Sequence, residues 1–159
     1  MLGVPLEPFE RLESDLMSTP FESATLNLQL FDLRREPVLR EAREWFLRDF
    51  NPETLAELAE ILRGARNASF RMVLGYWDMA ASLVTTGAID ADAFRAAHSE
   101  VFATFGKIQP FLDEIRKGSD EPGFCKHVEA VVLGEPGAQA LIDRRLAALR
   151  AAARERSQP

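Results

Sequence analysis

Residues 71–82, RMVLGYWDMAAS, decide how this chain is read. Stepped at about 100° per residue, they belong to one helical pattern running from Phe70 to Thr85. Phe70, Val73, Leu74, Trp77, Ala81 and Val84 share a face, and Met72, Tyr76, Met79 and Leu83 form a second, joined to the first through Ala80. Apolar side chains over more than half the circumference mark a helix enclosed by others, so a central helix is expected near 66–86, stopped by Gly87. The remaining strip holds Arg71, Gly75, Asp78, Ser82 and Thr85. Asp78 therefore points away from its neighbour Trp77 and is expected to be an ion-paired or hydrogen-bonded structural acid rather than a catalytic one. Gly75 costs about 1 kcal/mol against alanine in a helix. With Ala68 and Ser82 it makes a small-residue stripe open to a second backbone, and a neighbouring helix, the arginine-rich one being the candidate, would bring Asp78 its partner.

Outward from this helix, the punctuation is helical throughout. TPFE at 19–22 offers Thr19 as N-cap, Pro20 at the first helical position and Glu22 closing a capping box. A helix over about 20–35 follows, with Phe21, Leu26, Leu28, Leu30, Phe31 and Leu33 covering a wide face. Pro37 removes an amide hydrogen and disfavours α geometry at Glu36, so the chain breaks there. Leu39, Ala42, Trp45 and Phe46 recur at helical spacing, with Glu36/Arg40 and Glu44/Arg48 as i,i+4 pairs. In NPET, Asn51 reads as a cap and Pro52 as the first residue of a helix ending near Gly64. Asp90 starts another helix, with Phe94, Ala97, Val101, Phe102 and Phe105 inward. Gly106 and Pro110 are expected to bend it before it ends near 117. KGSDEPG is a loop, followed by helices near 124–133 and 136–153. The expectation is an all-α, single-domain bundle of five to seven helices over 20–153. Residues 1–19 form an arm or short amphipathic helix, with Phe9, Leu12, Leu16 and Met17 on one face, and 154–159 a frayed tail.

Composition bounds the function. At 159 residues the chain supports one core-forming domain, burying roughly 70% of its unfolded surface. A formal net charge of −6 disfavours phosphate-backbone attraction as the main activity, so no nucleic-acid partner is expected. The single cysteine, Cys125, permits no internal disulfide and favours a reducing compartment. No apolar run reaches the roughly 18 residues of a membrane span, which points to the cytoplasm. Charge is uneven. Residues 1–33 carry Glu7, Glu10, Glu13, Asp15, Glu22 and Asp32 against Arg11, whereas 143–159 carry Arg144, Arg145, Arg150, Arg154 and Arg156 against Asp143 and Glu155.

The stretches LFDLRREPVLREAREWFLRDF (30–50) and YWDMAASLVTTGAIDADAF (76–94) resemble a bacterial family of small all-helical proteins of unknown function. The likeness spans about residues 26–117. It implies fold and carries no activity to transfer. Some similar proteins have an N-terminal membrane segment, which this chain is expected to lack.

No reactive constellation stands out. With only His98 and His127, and no Glu-x-x-His, a di-metal bundle site is not expected. Cys125 and His127 are two residues apart, which on a helix directs them about 200° apart and argues against a shared zinc. His98, near an apolar face, reads as a core-edge histidine before it reads as a general base. Gly-x-Ser-x-Gly and phosphate-binding glycine loops are absent from the sequence. Arg34 and Arg35 suit a helix C-terminus, while Arg40 and Arg43, beside Trp45 and Phe46, suit stacking or a bidentate acid. The leading expectation is a non-enzymatic interaction module, without cofactor or metal, that forms a homodimer or binds another protein. The alternative is a small-molecule binder or weak enzyme with an inter-helix pocket lined by Trp45, Tyr76 and Trp77, its polar group drawn from Arg43, Asp78 or His98. Arg71 belongs to the same polar network. Nucleic-acid binding through the arginine-rich C-terminus ranks last.

Overall fold

The computed structural model describes residues 18–156. Helices α1 (Pro20–Arg34), α2 (Pro37–Arg48), α3 (Leu55–Arg63), α4 (Asn67–Thr85) and α5 (Ala91–Ala97) lead into α6 (Glu100–Ile108) and a 3-10 turn, Gln109–Phe111. There follow α7 (Leu112–Ser119), α8 (Lys126–Leu133) and α9 (Ala138–Arg156). Among the described residues there is no strand, and the all-α expectation holds. The elements exceed the expected five to seven because the span from 91 to 117 is not one bent helix. The chain leaves α geometry at His98, whose ψ is 45°, and Pro110 sits in the 3-10 turn. The amphipathic segment expected around Phe9, Leu12, Leu16 and Met17 lies outside the described residues.

Local chemistry sets the boundaries. Thr19 and Glu22 form the capping box at the head of α1, with the Glu22 amide 3.2 Å from Thr19 Oγ1 and the Thr19 amide 2.8 Å from Glu22 Oε2. Glu36 caps α2 through the Leu39 amide rather than pairing with Arg40. The NPET reading is corrected: Thr54, not Asn51, caps α3, accepting from the Glu57 amide. The amide-less Pro52 precedes the cap, and the side chain of Asn51 is occupied by Arg48 O and Lys107.

The 66–86 helix is central, as expected: α4 packs against α2, α3, α5 and α8. Val73, Trp77, Ala80 and Ala81 are fully buried on it, but Met72 and Met79 on the second apolar face are exposed. An aromatic group formed by Trp45, Phe46, Phe50 and Phe70 fills the space between α2 and α4. Helix α6 lies between α8 and α9, where Gly106 faces Ile142 and Leu146.

Helix α1 turns only part of its wide apolar face inward. Its buried side chains are Ser23 and Leu30, whereas Phe21, Leu28 and Phe31 are 80%, 68% and 46% exposed. The hydrophobic effect alone would turn these side chains inward. Leu30 and Leu26 pack on the core, and polar bonds do the rest of the holding. Tyr76 Oη donates to Leu30 O at 2.8 Å, Arg43 to Arg34 O at 3.0 Å and the Asp90 amide to Ser23 Oγ at 3.0 Å.

Candidate functional site

The candidate residues separate into two groups. Arg43, Tyr76 and His98 converge beneath α1, while Trp45, Arg71 and Asp78 lie elsewhere.

Glu100 anchors the first group. Its carboxylate takes both arms of Arg43, with Nε to Oε1 at 2.8 Å and Nη2 to Oε2 shorter still. This is the bidentate acid that Arg43 suits, supplied from the first turn of α6. Tyr76 faces the same interior. Burial pushes its phenol up to about 12, against the pull of the Arg34 and Arg43 cations, so it remains a neutral donor to Leu30 O. His98 is 1% exposed. Its Nε2 lies 3.0 Å from Asn27 Oδ1, which can only accept, so the proton sits on Nε2 and the Nδ1 lone pair faces Arg34 Nη1 at 3.4 Å. Burial, and then the Arg34 charge, hold the imidazole down to about 4, so it is neutral near pH 7. The ring packs edge-on against Trp77, over which the Arg34 guanidinium also lies at 5.7 Å.

These groups hold one another. A neutral histidine bonded at both nitrogens has no free lone pair to abstract a proton, and the Arg43–Glu100 pair satisfies itself. The chemistry the cluster performs is cohesion between α1, α2, α4 and α6.

Above it runs a groove of about 730 Å³ between α1 and α5. Pro20, Ala24, Leu28 and Phe31 form one wall, Ala93 and Ala97 the other, and Asn27 and His98 line it too. Its volume falls in the range of ligand sites, and its lining is mostly apolar.

Trp45 belongs to the α2 aromatic group and carries the Arg66 guanidinium at 5.4 Å from its ring. Arg71 is exposed. Asp78 does find a partner, but not on an arginine-rich helix: its Oδ1 accepts the amides of His127 and Val128 at 2.9 and 3.0 Å. It thus caps α8 from a different helix, at a terminus where Cys125 adopts φ 55° and offers no side-chain cap of its own. No heavy atom outside the helix lies within 4 Å of a Cβ built on Gly75, so the small-residue stripe admits no close backbone there. Burial pushes the Cys125 thiol up to about 12, reinforced by Asp78, which makes it a poor nucleophile. His127 Nδ1 pairs with Thr85 Oγ1 at 2.7 Å. Among the described residues no cluster of histidine, cysteine and carboxylate side chains could hold a metal ion.

Sequence reasoning missed Asn27, Glu100 and Lys107. The first two are a lone amide and a lone acid with no local pattern. Lys107 had a signal, a single cation inside the apolar run VFATFGKI. Its Nζ donates to Phe46 O, Leu47 O, Phe50 O and Asn51 Oδ1 at 2.7–3.0 Å, capping the C-terminal end of α2.

Residues 20–134 match a family model described as a domain of unknown function, DUF4760. No curated protein and no solved structure matches the chain. Within the described residues no helix is long and apolar enough to cross a membrane.

Proposed function

From the premise that the chain belongs to the DUF4760 family, we propose that it is a non-enzymatic interaction module that pairs with a second copy of itself through α1. One observation carries this reading: α1 turns Phe21, Leu28 and Phe31 outward while anchoring itself by backbone and side-chain hydrogen bonds. The outward stripe and the adjoining groove sit side by side on one surface. A two-fold axis can therefore lay the ridge of each copy against the groove of the other, the self-complementary arrangement of an isologous dimer. In an antiparallel pair, Glu22 in the first turn of one α1 lies toward Arg34 and Arg35 at the end of its partner's, and the helix dipoles oppose. The arginine-rich α9 is a weaker seam, since Ile142 is fully buried and Leu141 and Leu146 pack against the chain's own core.

Light scattering of the full chain over a wide concentration range tests the reading. A dimer converted to monomer by Phe21→Glu with Leu28→Glu supports it, and a strict monomer at high concentration overturns it. The groove's volume also favours a second reading, an apolar small molecule seated between α1 and α5. That reading requires saturable binding of an apolar fluorophore by the monomer, lost on Leu28→Glu.

A further inference from the structure

A second cleft, of about 580 Å³, opens on another side of the molecule, between the turn at Phe50–Glu53, the end of α6 and the last turns of α9. Three cations line it, Lys107, Arg150 and Arg154, against one carboxylate, Glu53. Its apolar lining comes from Phe111, Leu146 and Leu149. We infer that this cleft binds a small organic anion, a carboxylate or phosphate carried on an apolar body.

The arginines carry the argument. Arg43, Arg48, Arg95 and Arg116 each bond a carboxylate within the protein. The side chains of Arg150 and Arg154 make no hydrogen bond or ion pair among the described residues, although both line a cavity. They are four residues apart, so their side chains leave α9 on one face from Cβ atoms about 6 Å apart, and both guanidinium groups can reach the oxygens of one anionic group. Lys107 plays a different part. Its hydrogens are committed to the end of α2, so it contributes fixed positive charge beneath the cleft rather than a bond to the ligand. Burial lowers its ammonium to about 8, Asp49 opposes that and Arg150 adds to it, so Arg150 and Lys107 sit close enough to repel. An anion between the arginines relieves that repulsion. Phe111, Leu146 and Leu149 then give the rest of the molecule a surface to desolvate against, which a bare inorganic ion cannot use. Glu53 on the rim disfavours a ligand carrying a second negative charge at that end.

Calorimetric titration of the full chain with octanoate, octyl phosphate, inorganic phosphate and octylamine tests this. Saturable binding of octanoate or octyl phosphate is expected, at least tenfold tighter than inorganic phosphate, with no binding of octylamine. The comparison of the first two tells carboxylate from phosphate. Arg150→Gln with Arg154→Gln should weaken binding at least tenfold while leaving the thermal melt unchanged, and Phe21→Glu with Leu28→Glu should leave it intact. Failure of both octyl anions to bind, equal binding of octylamine, or binding indifferent to the arginine substitutions overturns the inference.

Discussion

The Nε2–H of His98 donates to Asn27 Oδ1 at 3.0 Å, and this bond ties α1 to the junction of α5 and α6. A second proton would have to enter at Nδ1, where Arg34 Nη1 already lies 3.4 Å away. The ring therefore stays neutral to about pH 4, whereas in the unfolded chain it titrates near 6.5. The unfolded state binds more protons between those values, so stability is full above about 6.5 and falls as pH drops toward 4. The complete loss is about 3 kcal/mol. Urea unfolding at a series of pH values should show it, with the dependence flattened in this window by His98→Gln. An unchanged slope in the variant would show that His98 does not titrate as placed.

Asp78 is expected to act as a helix cap. Asp78→Ala leaves the His127 and Val128 amides without their shared acceptor and should cost about 1–3 kcal/mol. Asp78→Asn keeps an oxygen that can accept and should cost less than half as much. Chemical denaturation of the two variants gives the comparison, and equal losses would mean that charge, not the acceptor, matters at this position.

Asp78 also shows what was legible in the sequence. Periodicity placed it correctly on the polar strip of the central helix, because 100° per residue is a property of the local chain. It did not identify the partner, because the two amides lie some fifty positions away and any acceptor-bearing residue could have met them. Helix α1 gives the opposite lesson. Its capping box and its end before Pro37 are local and readable, yet which of its apolar residues turn inward is not. Six apolar residues share a wide face with nothing to rank them, and Ser23 and Asn27 carry no sign that Asp90 and His98 will engage them. Arg43 was readable as seeking an acid, but Glu100 was not readable as that acid.

The Arg43–Glu100 pair spans α2 and α6 with side chains only 13% and 17% exposed. Removing one member leaves a poorly solvated charge, so Arg43→Ala should destabilise by roughly 3 kcal/mol. Arg43→Lys retains the charge but loses the fork and the bond to Arg34 O, and should recover little of it. A double-mutant cycle with Glu100→Gln should give a coupling of at least about 1 kcal/mol. Additive losses would show that the two side chains do not pair in solution.

Two glycines should respond to alanine with opposite signs. Gly75 lies inside α4 in ordinary helical geometry, and an added Cβ meets no atom within 4 Å, so Gly75→Ala should stabilise by about 1 kcal/mol through helix propensity alone. Gly106 also lies inside a helix, but its Cβ would stand 2.5 Å from Ile142 Cγ2 and 3.2 Å from Leu146 Cδ1. Ile142 is fully buried and has little room to rotate away. The same propensity gain is then outweighed by overpacking, and Gly106→Ala should destabilise by about 1–3 kcal/mol. Thermal melts of the two variants read the signs directly. Because Gly106 sets how closely α9 seats on α6, its substitution should also shift Arg150 and Arg154 relative to Lys107 and weaken octyl anion binding, which Gly75→Ala should leave untouched. A stabilising Gly106→Ala would place α9 farther from α6 than this packing allows.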